Sequence, residues 1–243
     1  MVKLGILKAG DTPASLADHG SYPDMFRRFF GADAFDYREY DVRAGVLPEA
    51  VEECPAYLVT GSAADAYGED RWIAALKGFL VEARGKARLL GICFGHQVMA
   101  QAFGGKVTPS DKGWGLGAQT YAACGRHDVL DGLDTFALPL SHRDQVMVVP
   151  PGADVIAGND FAPGGMLAYR DHPSLSLQLH PEFTREFAGA LVERQRGKGI
   201  DDAAADAALA ALAGPLDCDT MAARLGAFLR GESHASGKLT MLR

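Results

Sequence analysis

The seven residues Gly91-Ile92-Cys93-Phe94-Gly95-His96-Gln97 restrict what this chain can fold into more than any other stretch. They follow an apolar run, 87–92, and open a helical stretch that stops at Gly104-Gly105. A cysteine between strand and helix, with glycine two residues before and two after, has the layout of a nucleophile elbow. Glycine is needed on both sides because any Cβ would clash in so tight a turn. Such a turn belongs at the carboxyl end of a strand in an open α/β sheet, the edge where these folds place ligands. It also sets the sulfur at the first turn of a helix, facing the positive end of the macrodipole, which suits an anionic nucleophile. Taken alone, the pattern leaves a buried cysteine ahead of an ordinary helix as the other reading.

The rest of the chain supplies matching elements. Residues 2–8 read as an opening strand, and Ser21-Tyr22-Pro23 introduces a short helix that ends at Gly31. Phe35 and Tyr37 alternate with polar residues in a second strand, and the apolar run 56–60 stops at Gly61 as a buried parallel strand would. Trp72, Ile73, Leu76, Phe79, Leu80 and Ala83 share one face of a helix over 70–84, with Asp70 as N-cap and Gly85 as its stop. This alternation predicts an α/β fold with a mostly parallel central sheet and helices on both faces, flavodoxin-like in outline. From about 106 to 180 the texture changes to short apolar runs (118–121, 136–140, 145–149, 166–170 and 175–179), with a hairpin connection at Asp171-His172-Pro173-Ser174. Beyond 183 two or three alanine-rich helices run to about 230, and the last dozen residues read as frayed. We expect one domain, with an α/β unit over 1–190 and a helical C-terminal appendage over 191–243.

Composition narrows the function classes. A net charge of −7, a pI near 5.5 and the lack of any basic run or stripe argue against nucleic acid as a partner. No apolar stretch is long enough to span a bilayer, so no membrane partner is expected. The amino terminus lacks the core and cleavage site of a signal peptide. Cys54, Cys93, Cys124 and Cys218 lie far apart without zinc-type clustering, so a cytoplasmic location and no metal or other cofactor are expected. Cys54, Cys124 and Cys218 read as small apolar residues.

Two further segments carry chemistry. In Leu179-His180-Pro181-Glu182, residues 180 and 182 point to the same side of extended backbone, and Pro181 holds His180 extended. Glu182 is then placed to fix the imidazole tautomer and balance its charge, a base with its orienting acid. Thr60-Gly61-Ser62 ends the run 56–60, where a glycine turn aims backbone N–H groups at a developing oxyanion or simply ends the strand. The Phe94 N–H is a second donor of that kind. Gly113-x-Gly115-x-Gly117 lacks dinucleotide spacing, and Gly105-Lys106-Val107 lacks the flanks of a P-loop. His19, His127, His172 and His234 read as isolated surface or turn residues, and His96 as structural.

GICFGHQ followed by MAQAFGG, then SHRDQV and LQLHPEF, in that order, resembles the class I glutamine amidotransferases over roughly residues 40–190. The subgroup it most resembles comprises stand-alone proteins similar to the glutaminase domain of GMP synthase. The resemblance implies a Cys-His-Glu triad of Cys93, His180 and Glu182, with oxyanion donors from the backbone around Gly61, Ser62 and Phe94. It also implies substrate contacts from Gln97 and from the backbone of Ser141 and His142. The chain departs from the family at Gly61-Ser62, where Gly-Gly is usual, and at Asp111-Lys112-Gly113-Trp114, where Glu-Ile-Gly-Trp is frequent. The implied activity is hydrolysis of the glutamine side-chain amide, with ammonia passing to an acceptor on a synthase or other acceptor-side protein partner. A γ-glutamyl hydrolase acting on γ-glutamyl amines or peptides, and a non-catalytic regulatory module, remain as alternatives.

Overall fold

The apolar amino-terminal run forms strand β1 (Lys3–Lys8), with Leu4, Ile6 and Leu7 fully buried in a computed structural model that describes residues 1–232. His234 and nearly all of the tail expected to fray lie outside the described residues. Helix α1 (Tyr22–Phe30) starts where Ser21 accepts a hydrogen bond from the Asp24 N–H and Asp24 accepts one from the Ser21 N–H, a capping box that satisfies two orphan donors. Then come β2 (Asp36–Asp41), β3 (Ala56–Val59), α2 (Arg71–Ala83), β4 (Arg88–Ile92) and α3 (Phe94–Ala102). Asp70 occupies the N-cap of α2 but makes no capping bond with its side chain, whereas Gly85 follows the helix at φ 78, a conformation only glycine adopts freely.

The region of changed texture holds β5 (Lys106–Pro109), β6 (Gly115–Ala123), β7 (Thr135–His142), β8 (Asp144–Val148), β9 (Ala153–Gly158), β10 (Met166–Tyr169) and β11 (Ser174–Leu177). Helices α4 (Arg185–Gln195), α5 (Asp202–Ala213) and α6 (Cys218–Arg230) follow. The main sheet has nine strands in the order β2-β1-β3-β4-β11-β10-β9-β6-β7. Strands β2 through β11 in that order run parallel, and from β11 to β7 every neighbour is antiparallel, so the sheet is mixed. Connection length is the reason. The links between β6, β7, β9, β10 and β11 hold no crossover helix, and strands joined without one pair antiparallel. The run expected at 145–149 leaves the main sheet as β8 and pairs with β5 in a separate two-stranded ribbon.

Side chains on the two faces of the parallel half build two cores. Leu4, Ile6, Leu58, Leu90 and Ile92 pack with Phe26 of α1 and with Met221, Leu225 and Leu229 of α6. Leu7, Tyr57, Val59 and Leu89 pack on the other face with Ile73, Leu76 and Leu80 of α2 and Val98 and Met99 of α3. A third cluster joins Phe187, Ala188 and Val192 of α4 to Ala205, Ala208 and Leu212 of α5. His172 is buried rather than exposed, stacked on Tyr169 with its Nδ1 2.7 Å from the Ser174 hydroxyl, because the hairpin folds it onto the second core. Cys54 is buried as expected of a small apolar residue, but Cys124 is exposed at the end of β6. Among the described residues no helix is long and apolar enough to cross a membrane.

The parallel register sets the site. Leu7 pairs with Val59, Val59 with Gly91, and Ile92 with Leu177. The carboxyl ends of β1, β3, β4 and β11 therefore finish level, and the segments at 60–62, 93–97 and 178–182 emerge side by side.

Candidate active site

Cys93 is the sole non-glycine with positive φ among the described residues, at φ 52 and ψ −101. Its neighbours show why the turn demands glycine. A Cβ on Gly91 would lie 2.5 Å from the Gly95 carbonyl oxygen, and one on Gly95 would lie 2.3 Å from that of Val59. Both obstacles are backbone and cannot swing away. The Cys93 N–H donates to the Leu177 carbonyl at 2.9 Å, tying the turn to β11, while Sγ lies 3.9 Å from the Ser141 carbonyl oxygen.

His180 reaches the same spot from the adjacent strand. Its N–H donates to the Pro139 carbonyl at 2.8 Å, and its ring lies flat on Phe183, with centroids 3.9 Å apart and planes 8° from parallel. A Cβ on Gly61 would come within 2.9 Å of His180 Cε1, so Gly61 walls the other side of the ring. Nδ1 lies 2.7 Å from Oε1 of Glu182, whose side chain is fully buried. With Nδ1–H donating to the carboxylate, Nε2 is the nitrogen left to face the sulfur. Burial opposes charge on this ring, but the Glu182 carboxylate and the Cys93 sulfur outweigh it and His180 is pushed up to about 10. Glu182 Oε2 is buried with no hydrogen-bond partner among the described residues, so His180 is the protein group bonded to this carboxylate.

The remaining predicted residues surround this group. The Ala9 N–H donates to Thr60 Oγ1, and that hydroxyl donates to the Gly61 carbonyl, each at 3.0 Å. The carbonyl of the Gly61–Ser62 peptide is thereby held, and trans planarity turns the Ser62 N–H to the opposite side. As first residue of α3, Phe94 has an N–H with no acceptor inside the helix, while its ring packs on Trp72 with centroids 5.5 Å apart. Gln97 Nε2 donates to the Asp144 carbonyl at 2.8 Å and to Gln178 Oε1 at 3.2 Å. Ser141 and His142 end β7, and burial, followed by the charge on His180, pushes His142 down to about 3 and keeps it neutral. His96 is fully buried with Nδ1 2.8 Å from the Ser176 hydroxyl, a structural place, and burial likewise pushes it down to about 3.

Cys93, His180, Gln97, Ser62, Ser141 and His142 all line one cleft of about 470 Å³. Glu182 sits behind His180, Gly61 against its ring, and Phe94 turns inward, so these three flank the cleft without lining it. Tyr22, Trp114 and Arg194 also line it, and the sequence gives none of them a role in the site. Tyr22 stacks on Phe183 at 6.2 Å, and burial, then Cys93 and Glu182, push its hydroxyl well above the usual range. The only signal for Phe183 was its place directly after His-Pro-Glu. Trp114 belongs to the segment that departs from the family pattern; it abuts Gly199, where a Cβ would meet its Nε1 at 2.7 Å. Among the described residues no group of His, Cys, Asp and Glu could hold a metal ion.

The chain is similar to several known proteins. The glutamine amidotransferase class-I family model matches residues 68–196. γ-Glutamyl peptidase 2 of Arabidopsis thaliana is 31% identical over 183 residues, covering 72% of this chain and 73% of that protein. The glutamine-hydrolysing GMP synthase subunit of Methanopyrus kandleri is 32% identical over 178 residues, covering 68% of this chain and 86% of that protein. A glutamine amidotransferase structure from Thermotoga maritima superposes with a TM-score of 0.73 at 18% identity, over 95% of this chain and 97% of that one, which bears on the fold alone.

Proposed function

The chain belongs to the class I glutamine amidotransferase family, and on that premise we propose that it hydrolyses γ-glutamyl amide bonds through a thioester on Cys93. One observation carries the reading: a strained cysteine at the head of α3, beside a buried imidazole whose Nδ1 lies 2.7 Å from a buried carboxylate.

The Cys93 sulfur attacks the γ-carbonyl carbon of glutamine. The carbonyl oxygen takes up negative charge opposite the Ser62 and Phe94 N–H groups, each such donor contributing about 3 kcal/mol in the transition state. His180 gives its proton to the amide nitrogen, the C–N bond breaks and ammonia leaves, bound for an acceptor on a synthase or other partner protein. His180 then removes a proton from water, the oxygen attacks the thioester, and glutamate departs with the sulfur restored. Glu182 keeps the ring in the useful tautomer and balances its positive state. Gln97 and the backbone at Ser141 and His142 hold the amino-acid end.

A second reading keeps every step and changes only the leaving group. The cleft continues past Cys93 to Trp114, Leu191 and Arg194, which is more room than ammonia needs. A γ-glutamyl amine or peptide fits that extension, and the likeness to a protein named γ-glutamyl peptidase supports it. A silent regulatory module is disfavoured by the close assembly of all three reactive groups. Steady-state assays of the purified chain on glutamine and on a panel of γ-glutamyl amides test the proposal, with Cys93→Ala as control. Turnover of at least one that is lost in Cys93→Ala is expected. Turnover that survives the substitution, or none on any substrate, refutes it.

A further inference from the structure

The extension of the cleft has a chemistry of its own, and the position of the general acid says which part of a substrate enters it. His180 must lie on the side of the scissile nitrogen to protonate it, so the groups beyond His180 face the leaving group. Phe183 stacks on His180 and Phe187 packs edge-on against Phe183 with centroids 4.7 Å apart. Leu191 and Arg194 follow at four and seven residues along α4, on the same helical face. From Phe187 to Arg194 the helix rises about 10 Å, which brings Arg194 to the wall of the same cleft that Cys93 lines.

Arg194 is unlike its neighbours. Arg196 is engaged by Glu193, Asp202 and Asp206, and Arg185 by the carbonyls of Leu212 and Gly214. Among the described residues, Arg194 has no carboxylate within ion-pair distance and bonds to the Ser15 hydroxyl at 3.3 Å. Asp11, on the same cleft, is already paired with Lys8 and Arg43. Arg143 and Asp144 also line the cleft, where Gln97 donates to the Asp144 carbonyl, and they suit the charged amino-acid end of the γ-glutamyl group. Tyr22, Trp114 and Leu191, which line the same cleft as Cys93 and Arg194, add apolar surface to its walls.

We propose that the α4 side of the cleft is a leaving-group subsite for an amino acid or short peptide with a free carboxylate, and that Arg194 determines this specificity by pairing with that carboxylate. The inference rests on the γ-glutamyl thioester reading above. The γ-glutamyl C–N bond breaks, the proton of His180 passes to the released amine, and the carboxylate on Arg194 is unchanged. A leaving group that carries a distal ammonium meets like charge instead.

The test compares γ-glutamyl-glycylglycine, its C-terminal amide and γ-glutamyl-1,4-diaminobutane as substrates of the full chain and of Arg194→Gln, Arg194→Lys and Arg194→Glu. The wild-type chain should prefer the free carboxylate over the amide by about tenfold in kcat/KM, mainly through KM. Arg194→Gln should abolish the preference, Arg194→Lys should restore part of it, and Arg194→Glu should shift it toward the diaminobutane. Ratios between substrates on one preparation are insensitive to partial misfolding. A wild-type chain indifferent to the carboxylate, or an Arg194→Gln variant that keeps the preference, overturns the inference. Hydrolysis of glutamine with no peptide cleaved overturns it while leaving the thioester reading intact. Labelling of Cys93 by a glutamine-mimicking electrophile without turnover of any γ-glutamyl compound removes both.

Discussion

Replacing Cys93 by glycine should leave the chain more stable than replacing it by alanine, the reverse of the usual order. Both variants lose the sulfur and both should be inactive, so their difference isolates the backbone. At φ 52 and ψ −101 an L-residue is held in a sparsely populated region. Residues so held typically cost about 1–3 kcal/mol each. Alanine keeps that strain and glycine releases it. Against the gain stands the greater freedom of glycine in the unfolded chain, about 0.4–1 kcal/mol. The balance is about 1 kcal/mol in favour of Cys93→Gly, or about 2–4 °C in Tm for a domain of this size. Urea titration and thermal melts of the two variants, under one buffer, measure it. If Cys93→Ala is the more stable by about 1 kcal/mol, the ordinary penalty for glycine, the turn stores no strain and the reasoning fails.

Other expectations follow from the same geometry. Gly95→Ala should cost more than about 3 kcal/mol or fail to fold, as chemical denaturation would show, because its Cβ would lie 2.3 Å from a carbonyl oxygen in β3. His180→Ala should reduce kcat nearly as far as Cys93→Ala, with Glu182→Gln about a hundredfold less severe, as single-turnover rates on glutamine would test. The raised His180 adds stability that is complete below its unfolded value of 6.5 and is lost as pH rises through about 10, so His180→Gln should flatten the alkaline stability profile relative to wild type. His96 and His142 are shifted the other way, so the unfolded chain takes up their protons first and stability should fall as pH drops from 6.5 toward 3. His96→Gln should reduce that acid slope in urea titrations run at several pH values.

What was legible in the sequence was what short-range sterics decide. The glycines around Cys93 restrict their neighbours directly, so the elbow could be read from a few residues. His180 and Glu182 do meet, but across a turn at 181–182 closed by the Phe183 N–H on the His180 carbonyl rather than along extended backbone. Level strand ends brought the elbow and His180 together, through the parallel pairing of β11 with β4, which the runs at 56–60 and 87–92 do not by themselves specify. The antiparallel half was visible as a change of texture, but not the departure of β8 to pair with β5, which depends on which edge is free once the sheet has formed. The place of α6 among Leu4, Ile6 and Leu90 was hidden for a similar reason: its apolar positions say that a face is buried, not against what. Tyr22, Trp114 and Arg194 reach the cleft from three separate segments, and no local pattern marks such a convergence.

Strand β11 has consequences for how this sequence can drift. It pairs parallel with β4 and antiparallel with β10, so it is held from both sides. Two residues beyond its end, Gln178 and Leu179, span to His180, with the Gln178 N–H on Gly165 and the His180 N–H on Pro139. Gln178 and Leu179 form a bend rather than strand, so the length of this short link sets where His180 emerges. A single-codon insertion or loss between Leu177 and His180 would therefore move the imidazole from its place beside Cys93, disturbing the first core at Leu179 and leaving the second untouched. Substitutions erode such a site by degrees, but a length change there would silence it in one step. Descendants that retain the architecture without the chemistry should arise by that route, with the scar confined to a two-residue window.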